Sequence, residues 1–352
     1  MKRRLFCLVL SAAMVLGVVA GCAPAAPAAP AAPAAPGAAA PAPAPADVMV
    51  ISLAYENSPG EPVDLACVFW KERLEYLSGG TMTFTLFPSS LLGTKVEIID
   101  MALAGDAVIT IGNNSFYADL GVTDLSISFV PYLVTSWEDN DTLIGSDWYA
   151  EQLDMLRDIG LVLVSDGWRY ATRHLLSTVP VQSLVDVQGM RVRTPASLAE
   201  VNQWVAMGAN PTPMPLHEVY VALQQGVVDA VENGTHVLYA NRFHEIATYL
   251  TLTGHSFLNA SWLFSASVFD GLTSEQQGWL LQSGQEATEY FNELVAEAAL
   301  ASLQDLIDAG VTVFDIDPME FAVVSRNFVE LPDNQGAWTP GLYERILGIL
   351  GR

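Results

Sequence analysis

The chain has 352 residues, with 15 lysines and arginines against 39 aspartates and glutamates, a formal net charge of −24 and 51% hydrophobic residues. So acidic a surface repels nucleic acid and anionic lipid headgroups, which argues against both as partners. The length suits two domains or one large one, with ample apolar content for a core.

Lys2, Arg3 and Arg4 precede an apolar run from Leu5 to Ala20, too short to span a bilayer comfortably but suited to the core of a signal peptide. The run ends in "VVAGC", Val18 to Cys22. Small residues directly before a cysteine resemble the lipobox of bacterial lipoproteins. That resemblance makes 1–21 a lipoprotein signal peptide and Cys22 the lipidated first residue of the mature protein. Residues 23–46 contain only Ala, Pro and one Gly. Recurrent prolines remove backbone donors and favour extended polyproline II, so 22–46 reads as a tether that at about 3.1 Å per residue reaches up to ~75 Å. The expected anchor is lipid, and the expected location extracytoplasmic. Without Lys2, Arg3 and Arg4, 12 basic residues face 39 acidic ones, a balance of −27. Cys7 leaves with the signal, so Cys67 is left alone, without a partner for an internal disulfide, and reads as a small buried apolar residue on a helix.

From Val48 onward strand-like and helix-like segments alternate. Strands are expected at 48–55, 81–88, 107–112, 160–166, 189–194, 227–233 and 311–316. The first helical pattern sets Leu65, Phe69, Leu74 and Leu77 near helical spacing, with Gly79 as its stop. Alternation of this kind predicts an α/β fold with a largely parallel sheet. Near the end, Thr273 or Ser274 offers an N-cap with Gln three residues later, and apolar periodicity runs on to Gly310. A continuous helix of about 35 residues would span ~50 Å, long enough to cross between two lobes, unless Gly278 or Gly284 breaks it.

Enzyme signatures are missing. There is no G-x-S-x-G elbow, no Walker loop and no G-x-G-x-x-G after a strand. "HEVYV" (217–221) and "HEIAT" (244–248) begin like the zinc-protease helix but lack the second histidine one turn on. The expectation is therefore no catalytic residue, no metal and no cofactor.

Arginines beside aromatic and amide residues stand out instead. "GMRVRTPAS" (189–197) sets Arg191 and Arg193 on one face of a short strand, either as a solvated, salt-bridged face or as a socket for an anion. "SDGWRYATRHLL" (165–176) carries Arg169 and Arg173 after a strand, and Asn233 closes another. Ligands gather at the carboxyl ends of strands in α/β folds, and a guanidinium matches a carboxylate bidentately at any physiological pH. The bland alternative is local surface pairing with Asp or Glu.

The block from Gly189 to Gly234, "GMRVRTP…GANPTPMPLHEVYVALQQGVVDAVENG", resembles the central signature of the solute-binding proteins of TRAP (tripartite ATP-independent periplasmic) transporters. Residues 87–111, 128–134 and 173–181 fit the same family. The resemblance implies a two-lobed periplasmic-binding-protein fold, type II-like, with hinge strands and a long inter-lobe helix. It places lobe 1 at 47–170 and 259–298, and lobe 2 at 171–258 and 299–352. It further implies Arg193 as the clamp on a small carboxylate ligand, with Arg173 as a second arginine and Asn233 as a ligand-facing amide. Arg191 falls where the family carries a basic residue without a ligand role, nearer the rim. Glu56, Asn113 and Lys95 fall on cleft positions of the first lobe. Leu216 replaces an aromatic ring, and Phe116 stands where some relatives carry an arginine. Both changes tilt the expectation toward an acid smaller than a sugar acid. Trp168 and Trp262 are candidates to wall the pocket. The implied partners are the membrane permease subunits of such a transporter. Two rivals stay open: a ligand sensor feeding a signalling receptor without transport, and an exported enzyme acting on an acid.

Overall fold

The computed structural model describes residues 48–317 and 321–352; the signal, Cys22 and tether expectations lie outside the described residues. The strands are β1 (Met49–Ala54), β2 (Met82–Phe87), β3 (Val108–Gly112), β4 (Leu161–Ser177), β5 (Arg191–Thr194), β6 (Asn210–Pro213), β7 (Ala230–Asn233), β8 (Tyr249–Ser265) and β9 (Thr312–Asp315). They form one nine-stranded sheet in the order β2-β1-β3-β8-β4-β7-β5-β6, with β9 on β8. Pairing is parallel among β2, β1 and β3, and again among β6, β5 and β7. The two 17-residue strands β4 and β8 run antiparallel through the middle and belong to both halves. The sheet is thus mixed rather than largely parallel, and the fold is the expected two-lobed α/β one, with β4 and β8 as the connecting strands.

Register shifts between Leu163 and Ser165, Ser165 and Trp168, Arg169 and Ala171, and Arg173 and Leu175 let this long pair bend. They also scramble period-2 alternation, which is why the sequence pattern stops at residue 166 and shows nothing at β8. β6 reads "NPTP"; its prolines are tolerated because it is the edge strand.

The helices are α1 (Pro62–Leu77), α2 (Lys95–Leu103), α3 (Asn114–Asp119), α4 (Trp137–Ile144), α5 (Asp147–Asp158), α6 (Leu198–Ala206), α7 (Val219–Gln224), α8 (Thr235–Ala240), α9 (Ala266–Gly271), α10 (Ser274–Asp308), α11 (Val324–Val329), α12 (Pro332–Gln335) and α13 (Leu342–Ile349). On α1 the buried face is Val63, Ala66, Cys67, Trp70 and Leu74, whereas Leu65 is exposed, so the inward stripe is rotated from the one read in the sequence. α10 is unbroken over 35 residues, and Thr273 caps it through a capping box with Gln276. The chain's end departs from the expected second lobe. Arg345 pairs with Glu151 of α5, and Arg352 with Asp139 of α4, which returns α13 to first-lobe elements.

The two glycines of α10 separate cleanly. A Cβ on Gly284 would lie 2.4 Å from the Val164 carbonyl oxygen of β4, whereas one on Gly278 would meet nothing within 4 Å. Alanine at 284 is therefore expected to destabilise by about 1–3 kcal/mol despite its better helix propensity. Alanine at 278 should stabilise by about 0.5–1 kcal/mol. Urea-denaturation midpoints of the two variants, moving in opposite directions, would verify this; equal shifts would refute it.

Candidate functional site

The carboxyl ends of β1, β3, β5 and β7 converge on one cavity. Glu56 and Asn57 follow β1, Asn113 follows β3, Arg193 lies on β5 and Asn233 ends β7. Tyr170 and Arg173 come from β4, Leu258 and Ala260 from β8, and Lys95 from the first turn of α2. Leu216 closes one side. Of the eight expected ligand-facing residues, the structure brings seven to this cavity: Arg193, Arg173, Asn233, Glu56, Asn113, Lys95 and Leu216.

Trp168 is the correction. It is fully buried in an aromatic cluster, stacked on Phe291 (centroids 4.5 Å apart) and edge-on to Trp262 (5.1 Å), and its indole N–H donates to Ser165 Oγ at 2.7 Å. Neither tryptophan lines the cavity, because bulges turn this part of β4 toward α10. Phe116 does not line it either; its ring lies under the Lys95 ammonium, 4.9 Å from centroid to Nζ.

Arg193 is 2% exposed, and its Nε and Nη2 donate to one backbone acceptor, the Met214 carbonyl, at 3.0 and 2.7 Å. Among the described residues every other arginine and both lysines have a carboxylate within 4.0 Å; Arg193 has none. Burial pushes its pKa below the usual arginine value, partly offset by the more distant carboxylates of Glu56 and Glu232. A desolvated cation without a nearby counter-ion is costly, and an anion placed beside it would relieve that cost.

Arg173 is different. It is buried against Glu232, with Nε and Nη2 each 2.5 Å from a carboxylate oxygen, and lies 3.7 Å from Glu200. Burial would lower its pKa, but the Glu232 charge and hydrogen bonds outweigh that and raise it. Nη1 of Arg173 and Nη1 of Arg193 have no protein acceptor among the described residues. Arg191, two positions from Arg193, is exposed and held by Asp229 at 2.5 Å, at the amino end of β5 and away from the cavity.

Lys95 pairs with Glu56 at 2.9 Å. Burial raises the Glu56 pKa and Lys95 more than reverses this, so the carboxylate is held below its usual range as an acceptor facing the cavity. Asn113 spends its oxygen on capping α3, through Ser115 N at 2.8 Å, and its amide donates to Glu200 at 3.3 Å. Asn233 Oδ1 accepts from Gly234 N, while its amide nitrogen has no acceptor among the described residues.

Sequence reasoning missed Asn57, Tyr170 and Glu200. Asn57 was in view beside Glu56. Tyr170 and Arg173 are three apart, which in a regular strand means opposite faces; the bulge at Tyr170 brings both to the cavity. Glu200 of α6 accepts from Ser115 Oγ at 2.8 Å and faces Arg173, a contact only the fold reveals. Among the described residues no cluster of His, Cys, Asp and Glu is placed to hold a metal ion.

The family model described as bacterial extracellular solute-binding protein, family 7 (DctP), matches residues 53–334. A TRAP periplasmic solute-binding protein from Actinobacillus succinogenes, solved with bound L-galactonate, superposes with a TM-score of 0.82 at 35% identity over 86% of this chain and 99% of that one. A second from Ochrobacterium anthropi, with bound L-fuconate, gives 0.81 at 33% identity with the same coverage. The 2,3-diketo-L-gulonate-binding periplasmic protein of Escherichia coli is 29% identical over 287 residues, 79% of this chain and 85% of that protein.

Proposed function

The chain belongs to the DctP family of extracellular solute-binding proteins of TRAP transporters, and from that premise we propose that it captures a six-carbon sugar acid and delivers it to the transporter's membrane permease. The observation that carries the reading is Arg193: a buried guanidinium without a carboxylate partner among the described residues, bordering a cavity otherwise rich in neutral hydrogen-bonding groups. The acid's carboxylate pairs with Arg193 and reaches the free Nη1 of Arg173. The hydroxyls meet Asn233, Asn57, Asn113, Tyr170 and the Glu56 carboxylate. The lobes close by bending β4 and β8, and the ligand leaves unchanged, since no nucleophile–base pair borders the cavity among the described residues.

The tilt toward a smaller acid rested on Leu216 and Phe116. Phe116 is not in the wall, and three relatives at 29–35% identity are named for or solved with six-carbon sugar acids. A thermal-shift panel of L-galactonate, L-fuconate, succinate and benzoate tests the reading. A ligand at 100 times its Kd stabilises the folded state by about 2.7 kcal/mol, a rise of several degrees. Hexonates should give it and succinate should not; a panel in which no acid shifts the protein defeats the proposal.

The lipid anchor belongs to the same reading, carried by "VVAGC" before Cys22. Full-length protein should partition with membranes and Cys22→Ser should not; equal partitioning would remove the anchor.

A further inference from the structure

Behind β4 lies a second cavity, of about 320 Å³, walled by β4, the β7–α8 junction, the outer half of α10 and Trp137 of α4. Tyr170 and Arg173 of β4 line the first cavity, and Ala171, Thr172 and His174 line this one. The two cavities are therefore on opposite sides of one strand.

Its chemistry is unlike that of the first. Arg169, its one cation, is neutralised by Asp141 at 2.5 Å. Val295, Ala296, Ala299 and Leu303 of α10 give an apolar wall. The neighbouring polar groups are largely engaged: Asn292 accepts from Arg169 N at 2.8 Å and donates to the Gly167 carbonyl at 3.0 Å. Thr235 donates to the Ala299 carbonyl, and His174 Nδ1 accepts from Gly254 N. His236 breaks the pattern. It is 3% exposed, and neither ring nitrogen has a hydrogen-bond partner among the described residues. A buried imidazole left unpaired is unfavourable, and a visiting group that reached either nitrogen, both of them shielded from solvent here, would relieve that cost.

We propose that this cavity is a second small-molecule site, which takes a neutral molecule with an apolar body and one hydroxyl, such as a phenol or a cyclic alcohol. The apolar body packs on α10 and the Trp137 indole, and the hydroxyl bonds to His236. Burial, reinforced by the Arg173 charge, lowers the His236 pKa to about 4, so the ring is neutral at physiological pH. Its N–H donates or its bare nitrogen accepts, and a hydroxyl serves either tautomer, whereas a carboxylate finds no unpaired cation here. The site is independent of the sugar-acid reading.

Phenol is the probe, with toluene as its hydroxyl-free counterpart, titrated calorimetrically into wild type, His236→Phe, Ala299→Trp and Arg193→Ala, each first shown folded by circular dichroism. Wild type should bind one equivalent of phenol with a Kd on the order of 1 mM, the range for so few atoms. Toluene should bind more weakly. His236→Phe should erase the preference for phenol, Ala299→Trp should weaken phenol at least tenfold by filling the space, and Arg193→Ala should leave it unchanged. Absence of saturable phenol binding, or indifference to both His236→Phe and Ala299→Trp, overturns the proposal. So does loss of binding in Arg193→Ala, which would place phenol in the first cavity. If Ala299→Trp does not fold, the loss of phenol-over-toluene preference in His236→Phe decides alone.

Discussion

Replacing Arg193 with alanine is expected to weaken binding of the sugar acid by about 2–5 kcal/mol, roughly thirty-fold to several thousand-fold in Kd. Closure would bury the ligand carboxylate beside this guanidinium, and removing one partner of such a pair leaves the other desolvated and unpaired. The unliganded protein should respond in the opposite sense. Arg193 has no carboxylate partner among the described residues and its burial already disfavours the charged form, so its loss should cost little stability or raise it. Lysine should fall between arginine and alanine, since it keeps the charge and loses the fork. Calorimetric titration beside a urea melt of each variant separates the possibilities. Strong destabilisation with unchanged affinity would make Arg193 a structural residue and move the site elsewhere. Net surface charge does not oppose the reading, because repulsion of a small anion is screened within ~8–10 Å at physiological salt while the cleft acts at contact distance.

What the sequence revealed of this site follows from which contacts are local. Strand spacing left Arg193 open between a solvated face and an anion socket, and only the family resemblance pointed to a clamp; its burial without a carboxylate partner among the described residues is what the fold adds. Its relation to Arg191 was partly legible: spacing puts both on one face, but Arg191 opens β5 and is tied to Asp229, at the end away from the cavity. The state of Arg173 was not legible, because its partner Glu232 arrives through antiparallel pairing of β4 with β7, fifty-nine residues on. Trp168 was misread for the same reason as β4 itself. Without the bulges it sits at the end of a short strand near the ligand; with them it turns into the core under α10. The long helix was legible in full, cap included, since capping and periodicity are both local in sequence.

The largest effect on stability is expected from Glu232→Gln. Glu232 holds Arg173 bidentately, both residues are almost wholly buried, and His255 Nε2 stands 3.4 Å from the same carboxylate. Removing this one charge leaves Arg173 with only Glu200, at 3.7 Å, and uncompensated buried charge of this kind costs about 3–5 kcal/mol. Burial alone would raise the Glu232 pKa; Arg173 overrides it and holds the carboxyl at about 2, against an ordinary 4.5. Because the folded value is the lower one, the contribution is whole above about pH 5. It drains away as pH falls through 4.5 toward 2, by roughly 3 kcal/mol. His174 and His236, lowered by burial to about 4, act in the same direction over a higher window, from about 6.5 to 4, because the unfolded chain takes up protons first. Asp166, whose pKa burial raises, opposes both over its own range. Wild type should therefore lose stability in two stages on acidification, and Glu232→Gln should start lower and lack the second stage. The double variant Arg173→Met with Glu232→Leu tests the cause: an apolar pair of similar volume should recover most of the loss, because the penalty comes from the orphaned charge rather than from the missing bridge. Urea midpoints from pH 7 to pH 3 provide the measurement. If Glu232→Gln costs under about 1 kcal/mol, or the double variant is no better than the single, Arg173 is compensated by something other than Glu232.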